Sequence, residues 1–98
     1  MNLENRIVNK IVDISKKHKY IDKIILFGSR ARGDNLLKSD IDLGVYSNNS
    51  IAEFKDEIEQ EVSTLLEFDF SHMNNIEDKF FIEQVQQEGV IIYEKPWF

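Results

Sequence analysis

The chain has 98 residues, of which 42% are hydrophobic and 31% charged, and it contains no cysteine. This balance predicts one folded domain, residues 1–98, with a modest core, and it excludes a disordered chain, disulfides and thiolate metal sites. The net charge of −6 argues against a broad nucleic-acid-binding face, which normally carries basic residues, so we expect no direct binding of long RNA or DNA.

The N-terminal segment predicts an amphipathic helix from Leu3 to about Lys19. Its apolar residues recur at helical spacing, so that one face packs on a sheet: Leu3, Ile7, Ile11 and Ile14. His18 is interpreted as a helix-terminal residue, where a cation suits the helix dipole. The segment has no signal-peptide pattern, and no apolar run approaches membrane-spanning length, so we expect no membrane association and a cytoplasmic location.

A buried strand over residues 23–27 ends in a glycine–serine turn at Gly28 and Ser29. The small residues of such a turn let backbone N–H groups approach phosphate oxygens. Residues 30–37 are expected to form one or two helical turns, anchored to the core by Leu36 and Leu37.

Two arginines follow this turn. A guanidinium binds phosphate in a bidentate manner, so Arg30 and Arg32 are both candidates for neutralising phosphate charge. One of them is expected to make a structural salt bridge instead, with Asp34 as the candidate partner.

The second predicted strand, residues 41–46, follows a pair of acids. Asp40 and Asp42 alternate with Ile41 and Leu43, so the two carboxylates point to one side while the apolar residues point into the core. Two carboxylates about 4 Å apart near a surface repel by roughly 4 kcal/mol unless a cation or a proton intervenes. Mg²⁺ is usually held by one or two carboxylates together with substrate phosphates. The pair is therefore a candidate metal site, the alternative being two surface acids beside a turn.

A capping box at Ser50 and Glu53 predicts a helix to about Leu66. Its buried stripe is formed by Phe54, Ile58, Val62 and Leu65. The outer face is strongly acidic, which most often indicates a solvated surface.

The last third predicts a strand, a helix and a strand. Residues 67–72 alternate, which places Asp69 on a polar face and His72 on an aromatic face as a core or edge histidine. A helix from Asn75 to about Glu88 precedes a strand over residues 90–93, with four inward residues: Ile76, Phe80, Phe81 and Val85. Trp97 and Phe98 either pack on the body of the protein or belong to an interface.

The segment Gly28-Ser29-Arg30-Ala31-Arg32-Gly33, followed by Ser39-Asp40-Ile41-Asp42-Leu43, resembles the signature of the DNA polymerase β-like nucleotidyltransferase superfamily. The length of the chain points to the minimal nucleotidyltransferases, or MNT proteins. The resemblance implies an α/β fold of the α+β kind, a small mixed β-sheet with helices packed on it and the active site at one end. The alternating elements agree with this class, and the sequence leaves the strand order open.

The resemblance also implies the roles of six residues. Asp40, Asp42 and Asp69 would be catalytic residues and metal ligands, and Asp69 would also accept the proton of the attacking hydroxyl. Glu67 and Ser71 share the face of Asp69 and remain alternatives to it. Three residues would bind the nucleotide: Gly28, Ser29 and, as the arginine that matches the motif, Arg32.

The implied reaction is the Mg²⁺-dependent transfer of AMP from ATP to a hydroxyl of a partner protein. For MNT proteins the implied partner is a HEPN-domain protein, often an RNase toxin, which the antitoxin neutralises by attaching AMP to a tyrosine. The short chain shows no acceptor-binding domain, so we expect another polypeptide to supply the acceptor. Two alternatives are a non-catalytic nucleotide-binding subunit that masks its partner by contact and a small-molecule nucleotidyltransferase.

Overall fold

The computed structural model describes residues 1–96 as one mixed four-stranded sheet with helices on both faces. The elements are α1 (Asn5–Lys17), β1 (Ile21–Phe27), α2 (Ser29–Arg32), β2 (Ile41–Ser47), α3 (Ala52–Glu61), β3 (Phe68–His72), a 3₁₀ turn (Met73–Asn75), α4 (Lys79–Glu88) and β4 (Val90–Glu94). The predicted elements and the small mixed sheet are confirmed. Trp97 and Phe98, for which two placements were expected, lie outside the described residues.

The strand order is β3-β2-β1-β4. β1 is antiparallel to both β2 and β4, whereas β2 and β3 are parallel. A parallel pair needs a crossover connection, and the segment containing α3 supplies it. In addition, α1 packs against β4 and α4 packs against β1, strands that are distant from them in sequence.

The larger core lies between the sheet and the pair α1 and α3. The predicted inward residues of both helices are buried here, together with the apolar side chains of β1 and β2: Ile7, Ile11, Ile14, Phe54, Ile58, Val62, Ile24, Leu26, Ile41, Leu43 and Val45. Burying one such side chain contributes roughly 1.5–3 kcal/mol to folding. This packing fixes the orientation of β2 and therefore the direction in which its alternate residues point.

The opposite face of the sheet carries a smaller cluster beneath α4, formed by Ile25, Met73 and Val85. Because side chains alternate along β2, Asp42 points to this face while Ile41 and Leu43 point into the larger core. The smaller cluster covers one end of the face, and the other end remains available for polar groups.

A polar contact joins α1 to α3. The His18 ring lies 2.7 Å from a Glu57 carboxylate oxygen and 2.9 Å from the Tyr20 hydroxyl, while Lys17 pairs with Glu57 at 3.1 Å. His18 therefore connects two helices in addition to ending one. The expectation of a solvated acidic face is wrong for Glu57, which binds α1.

Helix ends differ from the sequence-based expectation where polar side chains bind the backbone. Thr64 accepts a hydrogen bond from the Leu66 N–H at 3.1 Å, which favours a turn, and α3 ends before Leu65, leaving that residue fully exposed. Asp78 accepts from the N–H groups of Phe80 and Phe81, so α4 begins later than expected and Phe80 is exposed.

Two further expectations are wrong. Ser50 accepts a hydrogen bond from the Ala52 N–H at 3.3 Å, but Ile51 is the N-cap of α3 and the capping box does not form. Leu36 and Leu37 follow the end of α2 and project into solvent, so they do not anchor that segment. Within residues 1–96 no helix combines the length and apolarity needed to cross a membrane.

Candidate active site

The parallel register places Asp42 directly opposite Asp69 on the neighbouring strand. Paired residues of adjacent strands point to the same face of a sheet, so both carboxylates lie on the α4 face. Asp40 stands two residues before Asp42, immediately ahead of β2, and alternation directs it to the same side. Asp40 and Asp69 are exposed, whereas Asp42 is half-buried. The three acids predicted from the sequence therefore lie at one end of two adjacent strands.

The alternatives to Asp69 lie on either side of it. Ser71 is opposite Gly44 in the same register, and Glu67 precedes β3, where its carbonyl accepts the Ile41 N–H at 2.8 Å. Because only Asp69 pairs with Asp42, the register favours Asp69 as the third acid.

The Asp42 carboxyl is the most perturbed acid of this group. Burial raises its pKa above the ordinary value, the negative charges of Asp69 and Asp40 raise it further, and Arg32 acts in the opposite direction. A bound cation would offset this repulsion. A positive charge bound beside these carboxylates would therefore stabilise their ionised form.

The donor set suits Mg²⁺ held partly by substrate. Among residues 1–96, no group of three or more His, Cys, Asp or Glu side chains is arranged to hold a metal ion by itself. Mg²⁺ is commonly held by one or two carboxylates with substrate phosphates and waters completing its ligands. Asp40 and Asp42 supply hard oxygen atoms of that kind.

The glycine–serine turn lies against the acids. Gly28 has φ +73°, in the left-handed region, and a Cβ added there would collide with Oδ2 of Asp42. Ser29, half-buried, is the first residue of α2. The predicted nucleotide-binding turn and the predicted metal ligand are therefore in direct contact, although they come from different strands.

The two arginines have different surroundings. Arg30 is only 6% exposed, and its guanidinium donates hydrogen bonds at 3.0–3.1 Å to three backbone carbonyls, those of Ser39, Asn2 and Leu37. Arg30 therefore holds the loop that leads to Asp40 and is committed to structure. Arg32 has an exposed side chain and makes the Asp34 salt bridge at 3.2 Å. The predicted salt bridge to Asp34 is thus made by Arg32, the same arginine that is predicted to bind phosphate.

Replacing Arg30 by lysine is expected to lower the free energy of unfolding by about 2–4 kcal/mol, because the three donors of an ammonium share one nitrogen and cannot reach the three carbonyls that separate guanidinium nitrogens reach. Arg32→Lys is the matched control and is expected to change stability by less than about 1 kcal/mol, since the Arg32 side chain is 41% exposed and a lysine can still pair with its acidic neighbours. Urea unfolding measures both. Equal losses in the two variants would contradict the structural role of Arg30.

Glu88, which the sequence predicts only as the end of a helix, contacts two of the candidate nucleotide-binding residues. Its carboxylate accepts hydrogen bonds from the Gly28 N–H and from Arg32 Nη1, each at 3.1 Å. Negative charge in the last turn of a helix is unfavourable with respect to the dipole, and these two donors from outside the helix compensate for it.

His72 has the structural role expected of it. Its ring contacts the Ser47 carbonyl at 2.8 Å and the Asn75 side chain at 3.1 Å, which joins the end of β3 to the end of β2.

Exposed leucines border the site on the side of Asp40. Leu37 and Leu65 are almost fully exposed, and both line an open groove that also contains Asp40 and Glu67. Of the three candidate acids, Asp40 is the one that lines this groove.

Comparisons with known proteins agree with the fold. A family model described as "Polymerase beta, Nucleotidyltransferase" matches residues 9–96. No curated protein matches the sequence at a significant level.

Three solved structures share the fold. A toxin–antitoxin structure with AMP-PNP has a TM-score of 0.71 at 22% identity, covering 90% of this chain and 73% of that one. The toxin–antitoxin MntA–HpeT, in a variant with two aspartates changed to glutamate, gives 0.70 at 20% identity over the same shares. A Sulfolobus solfataricus protein proposed to be a nucleotidyltransferase gives 0.57 at 19% identity, covering 92% of this chain and 79% of that one.

Proposed function

Because this chain belongs to the polymerase β nucleotidyltransferase family, we propose that it transfers AMP from ATP to a hydroxyl of a partner protein in a Mg²⁺-dependent reaction. The observation that carries this proposal is the register of the sheet: β3 places Asp69 opposite Asp42, and β1 ends with Phe27 opposite Asp42, so that Gly28 lies beside it. Metal ligands, a proton acceptor and a phosphate-binding turn are what such a transfer requires, and the residues proposed for these roles lie close together.

The acids have separate roles in the proposed reaction. Asp40 and Asp42 would hold Mg²⁺, which when bound neutralises phosphate charge and aligns the attacking and leaving oxygens. Asp69 accepts the proton of the attacking hydroxyl, because it is the exposed member of the facing pair. The hydroxyl oxygen forms a bond to the α-phosphorus, the bond from that phosphorus to the bridging oxygen breaks, and pyrophosphate leaves.

The turn binds the leaving part of the nucleotide. The Gly28 N–H and the Ser29 hydroxyl are donors for phosphate oxygens, and the exposed Arg32 guanidinium neutralises their charge. Arg30 takes no direct part, since its donors are bound to carbonyls. Positioning and charge neutralisation supply most of the catalysis in phosphoryl transfer, and no covalent enzyme intermediate is needed. Loss of any one of these groups is therefore expected to lower the rate.

A protein acceptor is supported by the surface around the acids. Leu37 and Leu65 expose large apolar side chains beside Asp40, which suits contact with a folded partner. Two of the similar structures are toxin–antitoxin complexes, and one contains AMP-PNP. We therefore propose that the protein is an MNT antitoxin that acts in the cytoplasm, and that its partner is a HEPN-domain toxin.

Label transfer from ATP with a radioactive α-phosphate tests this proposal. The protein is incubated with Mg²⁺, labelled ATP and an extract of its host, beside Asp42→Asn and the matched control Asp13→Asn, which removes an exposed acid of α1. We expect one labelled protein band with the wild type and with the control, and none with Asp42→Asn.

The other outcomes separate the alternatives. A stable complex with an unlabelled partner would indicate a non-catalytic subunit that masks its partner through contact. Label that appears in a small-molecule fraction and depends on Asp42 would indicate that the acceptor is a small molecule and not a protein. Either result contradicts protein adenylylation.

A further inference from the structure

Glu88 binds the two groups to which the nucleotide phosphates are assigned above. Its Oε1 accepts a hydrogen bond from the Gly28 backbone N–H at 3.1 Å, and its two oxygens each lie 3.1 Å from Arg32 Nη1. The Glu88 side chain is 18% exposed, so most of it is withdrawn from bulk water. A backbone N–H and a guanidinium are also the donors that bind a phosphate oxygen.

The backbone around Glu88 is fixed on both sides. Val85, one turn earlier, is buried against the sheet, and Gly89 packs so closely that an added Cβ would collide with the Ile25 side chain and the Val85 carbonyl. Val90, the first residue of β4, then pairs with Leu26 of β1. The end of α4 therefore stays in place, and rotation of the Glu88 side chain is the movement that releases Gly28 and Arg32.

Helix stability does not account for an acid at this position. The carboxyl end of a helix carries partial negative charge, so Glu88 is unfavourable there unless cationic or N–H donors compensate for it. Gly28 and Arg32 supply that compensation from outside the helix. The carboxylate is therefore held by contacts to the turn and not by its own helix.

We propose that Glu88 occupies the triphosphate subsite and competes with the nucleotide for Gly28 and Arg32. The inference rests on the proposed function, since these two groups bind phosphate only if the site takes a nucleotide. The Gly28 N–H has one proton to donate, so a phosphate oxygen receives it only after Glu88 has released it. The observed association constant is the intrinsic constant multiplied by the fraction of molecules in which Glu88 has turned away.

Equilibrium binding of Mg²⁺–AMP-PNP to Glu88→Gln tests the competition. The amide keeps the shape of the side chain but loses the charge that holds Arg32, so we expect binding about five-fold tighter or more. Glu83→Gln removes an exposed acid of the same helix and is expected to leave affinity within about two-fold of the wild type. Inorganic tripolyphosphate, which lacks a base and a sugar, is expected to give the same order of affinities.

A measurement without ligand tests the contact itself. The backbone amide resonance of Gly28 is expected to shift in Glu88→Gln and to stay unchanged in Glu83→Gln. An unchanged Gly28 resonance in both variants would overturn the hydrogen bond from which the proposal starts.

Each binding outcome has a distinct meaning. Equal or weaker binding by folded Glu88→Gln would overturn the competition and make Glu88 a support for Arg32, while leaving the proposed function intact. Equal gains in Glu88→Gln and Glu83→Gln would reduce the effect to overall charge and would also overturn it. If neither the wild type nor Glu88→Gln binds AMP-PNP or tripolyphosphate, the phosphate assignment fails, and the proposed function fails with it.

Discussion

Replacing Asp42 by asparagine is expected to abolish AMP transfer and, in the same protein, to raise the free energy of unfolding by about 1 kcal/mol. The carboxylate is half-buried, faces Asp69 and is repelled by Asp40, and these conditions raise its pKa. The amide keeps the shape of the side chain and removes the repulsion, but it is a poorer metal ligand. For a domain of this size the melting temperature is expected to rise by about 4–8 °C.

The stability gain is expected to depend on pH. Because the pKa of Asp42 in the folded protein lies above its ordinary value of 3.8, the folded wild type retains this proton to higher pH than the unfolded chain. Wild-type stability therefore falls as pH rises from the ordinary pKa through the raised one, and this contribution is absent from Asp42→Asn. The difference between the two proteins is expected to be small below the ordinary pKa and complete at neutral pH.

Urea unfolding of both proteins across this pH range measures the difference, with Asp13→Asn as the control for loss of a carboxylate elsewhere. A variant that is inactive and also less stable at neutral pH would contradict the view that Asp42 is held at a cost to the fold.

Gly28→Ala is expected to reduce AMP transfer by about 100-fold or more and to destabilise the protein by about 2–4 kcal/mol. Two effects combine at this residue. The backbone adopts φ +73°, which L side chains rarely adopt, and the new Cβ would collide with the Asp42 carboxylate. Relief of that collision would displace Asp42, a proposed metal ligand.

Gly33→Ala is the control for a positive φ without a collision. Gly33 has φ +90° and ψ 5°, a milder conformation for an L side chain than the φ +73° and ψ −156° of Gly28, and nothing lies within 4 Å of the added Cβ. We expect a loss of about 1 kcal/mol and retention of most of the activity.

A double-mutant cycle gives a readout independent of activity. In an Asp42→Ala background the carboxylate is absent, so Gly28→Ala is expected to cost less than in the wild type, leaving only the part that arises from the backbone conformation of Gly28. Equal costs of Gly28→Ala in the two backgrounds would show that Asp42 and Gly28 are not in contact.

The parts of the fold that follow from side-chain periodicity could be predicted from the sequence. The inward residues of α1 and the alternation around Asp42 are examples, because one buried face imposes a repeat on the sequence. The ends of α3 and α4 could not, because Thr64 and Asp78 bind nearby backbone groups and override the apolar pattern that continues to Leu65 and begins before Phe80.

The candidate site divides in the same way. Local motifs identified Gly28, Ser29 and the acids, and the roles given to them remain proposals. The separation of Arg30 from Arg32 depends on which carbonyls the folded loop brings to Arg30. Glu88 comes from the far end of the chain, and no local pattern joins it to Gly28.

The parallel pairing of β2 with β3 also determines when the site can form during folding. β1 and β2 are sequence neighbours and can pair early, whereas Asp69 reaches Asp42 only after the crossover through α3 has closed and β3 has docked at the edge of the sheet. A ligand that bridges the two acids therefore binds only molecules in which this edge strand is in place. Such a ligand would stabilise the pairing of β2 with β3, and the protein would open more readily at that edge when no such ligand is bound.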